Sequence, residues 1–280
     1  MRAYIQKIFC FLFCLCCTTL FACQTPQPQP SLPNSNVTIY PPSTPAQQPV
    51  QTWTNPCQNV DCISKERKLI ALTFDDAPGK TLENILAVFA AYNEQNPDCL
   101  AFSTIFFNSQ KISSAQLPLL QAAYSVGFEL GNHTATHANL STLTPQQVRQ
   151  EIDDTDQLLS RIDNSPRHLF RAPFGVLPEH AKPLVNAPII DWTIDTLDWT
   201  GISEQAIISS VLSNKFNGAI VLFHDGYTPT VSALKTLLPA LKAEGYQAVT
   251  ISQMAKMHGV QMKNGSVYIR LRPTKNGKNR

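Results

Sequence analysis

Two histidines in this sequence are spaced so that they could bind one metal ion. His133 and His137 lie four residues apart in the segment HTATH, which follows the short β-type run 127–131 (GFELG). If the segment is helical, residues i and i+4 share one face, so both imidazoles can meet a single cation. Histidine pairs also occur by chance on helix faces, and the pattern therefore needs support from other segments.

Two adjacent carboxylates could complete such a site. Asp75 and Asp76 directly follow the apolar run 68–74 (KLIALTF) and precede the turn-forming sequence Ala-Pro-Gly. Carboxylates are costly inside a core, so these two must be exposed, paired or metal-bound. A carboxylate and two neutral imidazoles suit zinc, and three protein ligands leave positions for water and substrate.

Three further segments end an apolar stretch with residues that could do chemistry. Arg171 follows a short apolar stretch, and its forked guanidinium could hold an aspartate in place. Asp195 and Asp198 come at the end of the next such stretch and could orient an imidazole, and His224 ends the strongly β-forming run 218–223 (GAIVLF). Because five strand ends carry such groups, one shared site explains them better than five unrelated loops.

The other three histidines lack this context. His168 precedes Arg171, His180 lies at a predicted helix start and His258 lies near the C-terminal end. We interpret all three as structural or surface residues.

Short apolar runs alternate with helical patterns from about Thr52 onward, which predicts strand–helix units around a parallel sheet or barrel. In barrels of this class, catalytic groups lie on the loops after the carboxyl ends of the strands. The clearest helix start is Thr144-Pro145-Gln146-Gln147, which combines a capping-box pattern with proline at the first helical position. The predicted strands cover 68–74, 102–107, 127–131, 168–171, 189–195, 218–223 and 247–251. The predicted helices cover 81–95, 115–125, 144–163, 178–186, 202–214 and 229–244.

The N-terminal part of the chain predicts export rather than fold. Residues 1–23 have the basic, apolar and small-residue regions of a secretory signal, and the Leu-Phe-Ala-Cys end favours lipidation of Cys23 over an ordinary cleaved signal. Residues 24–51 are rich in Pro, Gln, Ser and Thr, which indicates a flexible linker. We therefore expect an exported protein of the cell envelope, anchored to the membrane at Cys23, with a secreted or periplasmic location as the alternative.

The rest of the chain predicts one catalytic domain, 52–260, and a basic C-terminal tail, 261–280, that we interpret as a solvated terminus. The formal net charge of +2 gives no reason to expect nucleic acid as a partner, and we expect a monomer. Export permits disulfides, and Cys57 and Cys62 are close enough in sequence to form one. A buried free thiol is the alternative for each cysteine of this region, including Cys99.

The segments TFDD, HTATH, RAPF, DTLDW and LFHD, in this order, resemble the five motifs of the polysaccharide deacetylase family with the NodB homology domain, carbohydrate esterase family 4. They span about 69–225, with flanking strands to about 257. The resemblance implies an α/β fold built as a distorted barrel of roughly seven or eight strands. It also implies a metal-dependent hydrolase that removes N-acetyl groups from polysaccharide.

The resemblance assigns roles to the residues of these motifs. Asp76, His133 and His137 would be the metal ligands, Asp75 the general base and His224 the general acid. On ligand type the ion is expected to be Zn²⁺, with Co²⁺, Ni²⁺ and Mn²⁺ as alternatives.

Supporting roles follow from the same resemblance. Arg171 would brace Asp75, and Asp198 would tune His224. The backbone N–H of Phe174 would bind the oxyanion; the family usually has Tyr at this position, but the backbone group is unchanged. The residues expected to line the substrate pocket are Pro173, Trp199 and Leu222.

The expected substrate is peptidoglycan or a chitin-like polymer of N-acetylglucosamine, because an exported enzyme meets wall glycans first. The motifs do not separate this activity from O-acetyl ester hydrolysis on a xylan-like glycan. A non-catalytic wall-binding lipoprotein would be expected to lack Asp75 or His224, and both are present. A non-haem iron oxygenase could use two histidines and one carboxylate, but it leaves Asp75, Arg171 and His224 without a role.

Overall fold

The computed structural model describes residues 60–274. The strands in this range are β1 (Lys68–Ala77), β2 (Thr104–Phe107), β3 (Glu129–Asn132), β4 (Leu169–Phe170), β5 (Ile189–Ile190), β6 (Ile194–Asp195), β7 (Ala219–His224), β8 (Tyr246–Ala248) and β9 (Val267–Tyr268). They form one sheet in the order β6-β7-β1-β2-β3-β4-β5-β9, and β8 pairs with the start of β1. Every pairing between these strands is parallel, as expected when helices connect them.

Helices connect most of the strands. They are α1 (Leu82–Gln95), α2 (Leu117–Ser125), α3 (Pro145–Asp163), α4 (Glu204–Asn214), α5 (Thr228–Ala243) and α6 (Ile251–Met257). The capping box predicted at the start of α3 is confirmed, with Thr144 and Gln147 bonded reciprocally. The helix predicted over 178–186 is wrong: only a single 3₁₀ turn, Lys182–Leu184, forms there. Pro183 lies in the middle of that segment, where proline lacks the N–H donor and clashes with the preceding turn.

β1 is the central strand, and both of its faces are buried. Alternate residues enter two different core clusters: Ile70, Leu72 and Phe74 pack in the cluster that includes α1 and α5, and Leu69 and Ala71 pack in the other. Because side chains alternate along a strand, Thr73 and Asp75 point to the same side as Leu69 and Ala71. Asp75 is therefore carried inside the barrel by the strand itself.

The chain after β9 closes the barrel. The Leu271 N–H donates to the Gly218 carbonyl at 2.8 Å, and Arg270 forms an isolated antiparallel bridge with Ala219. These contacts join the β9 edge of the sheet to the start of β7. The distorted barrel predicted from the sequence is confirmed, although the long strand expected over 189–195 is divided into β5 and β6.

The predicted boundary at residue 260 requires correction. β9 pairs with β5, and Met262 and Leu271 are buried in the core. Residues 261–274 therefore belong to the domain rather than to a solvated tail. The sequence did not predict this for two reasons. The segment is rich in basic residues, and a two-residue strand is too short to show a hydrophobic period.

Several predictions concern residues outside the described range. The signal segment 1–23, Cys23, the linker 24–51 and Cys57 lie there, so lipidation and a Cys57–Cys62 disulfide stay predictions. Among the described residues, Cys62 and Cys99 form no disulfide, and Cys99 is buried. None of the helices within 60–274 is both long and apolar enough to span a membrane.

Candidate active site

The five predicted segments meet at one end of the barrel, where β1, β3, β4, β6 and β7 end. The strand register brings their last residues to the same level: Asp75 is the Cα partner of His224, and Asn132 is the Cα partner of Phe170. His133 and Arg171 directly follow the second pair. The carboxyl ends of parallel strands thus gather residues that are far apart in sequence.

Asp75 and Asp76 occupy different depths of this site. Asp75 continues the inward alternation of β1 and is 3% exposed. Asp76 has a left-handed backbone conformation, with φ of 68°, and its side chain is partly exposed. The change in backbone direction presents one carboxylate from the barrel interior and the other from its rim.

The HTATH segment is not helical. The prediction that its two histidines share one metal ion assumed a helix, and this assumption is wrong. Thr134 and His137 have positive φ angles of 67° and 62°. The Thr134 N–H is bonded to the Asn132 side-chain oxygen at 2.9 Å, and the His137 N–H to the Thr134 hydroxyl at 3.2 Å. These local bonds replace helical ones. The loop still brings the rings of His133 and His137 together, with centroids 4.9 Å apart.

Asp76, His133 and His137 form a group that could hold a metal ion. One ligand atom of each lies within 4.8 Å of the others. The Asp76 Oδ1 atom is 3.4 Å from His137 Nε2 and 4.0 Å from His133 Nε2. Two ligands of a tetrahedral zinc ion, each about 2.1 Å from it, are roughly 3.4 Å apart. The Asp76–His137 pair therefore already has the separation that one ion requires, and the Asp76–His133 pair is close to it.

The hydrogen bonding of His133 also fits a metal ligand. Its Nδ1 lies 2.8 Å from the backbone carbonyl oxygen of Arg171. Because a carbonyl only accepts, Nδ1 carries the proton and Nε2 keeps a lone pair that is available to an ion. Burial lowers the pKa of His133, which favours the neutral imidazole that a metal requires. A carbonyl that fixes the tautomer in this way is typical of metal-binding histidines.

Arg171 is fully buried and pairs with Asp75. Its Nη1 lies 2.7 Å from Asp75 Oδ1 and 2.8 Å from the Thr73 hydroxyl, and its Nε donates to the Ile190 carbonyl at 2.9 Å. The guanidinium also stacks over the Phe106 ring, with Cζ 4.2 Å from the centroid. This arrangement satisfies the buried charge and leaves Asp75 Oδ2 facing His133 Nε2 at 3.7 Å.

His224 is paired with the buried Asp198. The His224 Nδ1 lies 2.8 Å from Asp198 Oδ1, and the His224 backbone N–H donates to Asp198 Oδ2 at 2.8 Å. The Thr230 hydroxyl donates to the same Oδ2 atom at 2.6 Å. Burial lowers the pKa of His224, but the hydrogen bond to Asp198 and the nearby carboxylates outweigh it, so the pKa lies above its ordinary value.

The residues predicted to contact substrate differ in exposure. Phe174 is 65% exposed and Trp199 is 53% exposed, whereas Pro173 and Leu222 are buried. The Phe174 ring packs edge-on against His137 with centroids 4.6 Å apart, so this aromatic side chain contacts the loop that carries both histidines. Leu222 lies on β7, two residues before His224. Their roles in binding stay predictions.

Sequence reasoning missed two residues that follow β2. The Lys111 ammonium lies 3.1 Å from the Asp76 carbonyl oxygen and 3.5 Å from Asp76 Oδ1. Asn108 Nδ2 donates to the carbonyls of His133 and Thr134 at 2.6 and 3.2 Å. Their position in the sequence could have identified them, because they follow the carboxyl end of β2 as other site residues follow the ends of their strands.

Asp225 is a third residue whose role was missed. Its carboxylate accepts from the N–H of Gly79 and from both the N–H and the hydroxyl of Thr81. Asp225 thereby ties the loop after Asp76 to the end of β7. A Cβ atom on Gly79 would lie 2.8 Å from the Asp225 Cγ, so this contact requires glycine.

Left-handed backbone conformations are concentrated in the site. Among the described residues, the non-glycine positions with positive φ in these loops are Asp76, Thr134, His137, Phe174 and Leu197, and the remaining one, Asn164, ends α3. Such conformations cost about 1–3 kcal/mol each and persist where surrounding contacts enforce them. Their presence here indicates that the loops are held in a defined shape.

Comparison with known proteins agrees with this geometry. The family model described as polysaccharide deacetylase matches residues 63–187. A peptidoglycan-N-acetylglucosamine deacetylase of Bacillus cereus is 30% identical over 194 residues, which are 66% of this chain and 67% of that protein. A bifunctional xylanase/deacetylase of Pseudobutyrivibrio xylanivorans is 31% identical over 210 residues, which are 74% of this chain but 34% of that protein.

A solved structure has the same fold. The family 4 acetyl xylan esterase from Clostridium thermocellum, in complex with a cobalt ion, matches with a TM-score of 0.67 and 25% identity. The match covers 73% of this chain and 99% of the other. The chain spans about a third of the xylanase/deacetylase and two thirds of the Bacillus cereus protein, so the matches concern the domain that they share. This chain belongs to the polysaccharide deacetylase family.

Proposed function

We propose that this protein is a metal-dependent hydrolase that removes N-acetyl groups from N-acetylglucosamine-containing polysaccharide, either peptidoglycan or a chitin-like polymer, and releases acetate. One observation carries the proposal: three residues that could bind a metal lie at the same end of the barrel as a buried aspartate–arginine pair and a partly buried histidine–aspartate pair. The residues are Asp76, His133 and His137, then Asp75 with Arg171, and His224 with Asp198.

Asp75 has the position required of a general base. A divalent ion at Asp76, His133 and His137 would supply polarisation of the acetamide carbonyl and acidification of a water molecule. Asp75 would take a proton from the attacking water molecule, whose oxygen bonds to the carbonyl carbon as the C=O π bond opens to a tetrahedral oxyanion. Arg171 holds the Asp75 carboxylate through Oδ1, so Oδ2 is the oxygen that receives the proton.

His224 acts as the general acid in the second step. Asp198 accepts the hydrogen bond from Nδ1, so the protonated imidazole presents its other N–H, at Nε2, to the substrate. The raised pKa of His224 favours the protonated form near neutral pH. Transfer of this proton to the amide nitrogen accompanies cleavage of the C–N bond, and the products are acetate and the free amine of a glucosamine unit.

The remaining site residues stabilise and contact the substrate. The Phe174 N–H donates to the oxyanion, and one such donor contributes roughly 3–4 kcal/mol to transition-state stabilisation. Trp199 and Leu222 line the pocket for the acetyl methyl group together with Pro173. The exposed rings of Phe174 and Trp199 provide apolar surface on which a sugar ring can pack.

Zinc is the proposed ion, because one carboxylate and two imidazoles suit it, and Co²⁺, Ni²⁺ or Mn²⁺ could occupy the same donors. We further propose an exported monomer of the cell envelope that is anchored through a lipid at Cys23. This location would bring the enzyme to wall glycan.

A second candidate is O-acetyl ester hydrolysis on a xylan-like glycan. It is favoured by the similarity to a xylanase/deacetylase and to an acetyl xylan esterase. The same base, acid and oxyanion donor serve either reaction, because both pass through a tetrahedral intermediate.

Acetate release distinguishes these candidates. The purified protein is assayed for metal content and for acetate release from N-acetylglucosamine oligosaccharides, peptidoglycan and acetyl-xylan, beside the variants Asp75→Asn and Asp154→Asn. Asp75→Asn is expected to retain metal and to lose about 10²–10⁴-fold in kcat. Asp154 is exposed on α3 and serves as a matched control. A metal-loaded wild type that releases no acetate from any of these glycans would support the binding-protein alternative.

A further inference from the structure

We infer that helix α3 positions the HTATH loop for metal binding through two of its carboxylates, Glu151 and Asp156. Both residues lie outside the five motifs, and neither is a metal ligand. The inference rests on the metal site of the proposed function, but it concerns how that site is held rather than the reaction.

Glu151 fixes the part of the loop between the two histidine ligands. The Thr136 N–H donates to Glu151 Oε2 at 2.8 Å, and the Thr136 hydroxyl donates to Oε1 at 2.7 Å. Two bonds to one carboxylate define the orientation of Thr136 as well as its position. His137 follows directly, so its backbone is set by this contact.

Asp156 fixes the other end of the loop through Asn132. Asn132 Nδ2 donates to Asp156 Oδ1 at 3.0 Å and to the Ile152 carbonyl at 2.8 Å. With its amide nitrogen held by α3, Asn132 directs its oxygen to the Thr134 N–H at 2.9 Å. His133 lies between Asn132 and Thr134, so this chain of bonds sets the backbone from which its imidazole projects.

Asp156 is itself held by a buried network. His168 Nδ1 lies 2.9 Å from Asp156 Oδ1, and His168 Nε2 lies 3.2 Å from both oxygens of Asp163. Arg167 Nη1 lies 3.2 Å from Asp156 Oδ2. Burial lowers the pKa of His168, but its bonds to the two aspartates outweigh this and raise it to about 9. His168 is therefore a buried cation that fixes the carboxylate, which agrees with its interpretation as a structural residue.

The loop needs such support because its backbone is strained. The left-handed conformations of Thr134 and His137 together cost several kcal/mol, at about 1–3 kcal/mol each. Without the contacts from α3, the loop would relax toward conformations in which the imidazoles no longer converge with Asp76. Binding a metal would then require ordering the loop, and metal affinity would fall.

The test measures metal affinity rather than turnover. Co²⁺ and Zn²⁺ dissociation constants are determined by chelator competition on the full-length protein in detergent, for wild type, Glu151→Ala, Asp156→Asn and the control Asp154→Ala. Asp154 lies on the same helix and is bonded to Gln150 rather than to the loop. The thermal midpoint of each metal-free protein is measured in parallel, because a merely structural role would lower this midpoint and leave affinity unchanged.

We expect Glu151→Ala to weaken metal binding by about tenfold or more with little change in the metal-free midpoint, as for other residues that orient metal ligands. Asp156→Asn should lower both the metal affinity and the midpoint, since His168 loses a partner; if this variant fails to fold, Glu151→Ala decides alone. Equal affinities for wild type and Glu151→Ala would overturn the inference. A wild type that binds neither ion would instead overturn the metal site of the proposed function.

Discussion

Asp75 and His224 are register partners on the adjacent parallel strands β1 and β7. The proposed base and acid are thus set by the backbone hydrogen bonds of two central strands rather than by loops. Arg171, which pairs with Asp75, and Asp198, which pairs with His224, arrive from opposite sides of this strand pair, after β4 and β6. Each proton-transfer residue therefore has its own buried partner, and the two pairs can be altered separately.

Replacing Arg171 by methionine is expected to destabilise the protein by about 3–5 kcal/mol, because a buried Asp75 carboxylate would lose its cation. The arginine also bonds Thr73 and the Ile190 carbonyl, so both would lose a donor. The free energy of unfolding in urea, measured on the metal-free protein, gives this change.

The double variant Arg171→Met with Asp75→Asn provides the control. Removing the carboxylate as well should recover part of the lost stability, because no unpaired charge is then left inside the barrel. Equal stability of the single and double variants would show that packing of the guanidinium, and not charge compensation, explains the loss.

Removing the metal is expected to lower the thermal midpoint of wild type, and adding Zn²⁺ should restore it. An ion that binds only the folded state at about 100 times its Kd stabilises it by roughly 2.7 kcal/mol. His137→Ala should abolish most of the Zn²⁺-dependent rise, since it removes one of the three proposed ligands. Differential scanning fluorimetry with and without chelator measures both effects. A Zn²⁺ response that survives in His137→Ala would place the ion elsewhere.

The parts of this structure that were predicted from sequence are those encoded by neighbouring residues. The capping box at Thr144 involves residues three apart, and the polar strand ends are marked by abrupt changes after apolar runs. The resemblance to the five motifs then indicated which strand ends share a site. In contrast, β9 was not predicted, because its pairing with β5 depends on the closed sheet and not on its own two residues.

The contacts that hold the site loops could not be predicted from the sequence either, because they join residues that are far apart in the chain. Lys111 is 35 residues from Asp76, Glu151 is 15 residues from Thr136, and Asp225 is 146 residues from Gly79. Lys111 and Glu151 do not differ locally from ordinary surface residues, and Asp225, although it lies in the LFHD segment, gives no local sign that its partner is Gly79. The HTATH loop shows the limit most clearly: its ligands do converge, but through left-handed residues fixed from α3 and β2 rather than through a helix.

The stability of the metal-free protein is expected to fall as pH rises from about 6.5 to about 9, in part because of His168. Its pKa is about 9 in the folded protein and about 6.5 when unfolded. The stabilisation that His168 provides is therefore fully present below its pKa in the unfolded protein, and it is lost as the pH rises through its pKa in the folded protein. Its size is roughly 3 kcal/mol, from the difference between these values.

The variant His168→Gln isolates this contribution. The raised pKa of His224 affects both proteins alike, so the difference between them reports on His168. Urea unfolding at several pH values should show a shallower decline for the variant. Parallel curves would mean that His168 is neutral in the folded protein and that Asp156 is held by Arg167 instead.

The alkaline limit of activity is expected to depend on Asp198. A general acid must be protonated, so turnover falls as pH rises through the pKa of His224. The hydrogen bond to Asp198 raises that pKa, and Asp198→Asn should therefore move the alkaline limb of kcat to lower pH. At neutral pH, kcat should lose part of the roughly 10²–10⁴-fold contribution of a general acid.

The pH profile of acetate release tests this, with Asp195→Asn as the control. Asp195 ends β6 shortly before Asp198, but its carboxylate accepts from the Leu197 N–H and not from His224, so the alkaline limb should stay in place. If the alkaline limb of the pH profile is unchanged in Asp198→Asn, another group protonates the leaving amine. Because Asp198 also accepts from the Thr230 hydroxyl and the His224 N–H, loss of folding must be excluded first, by comparing the thermal midpoints of both variants with wild type.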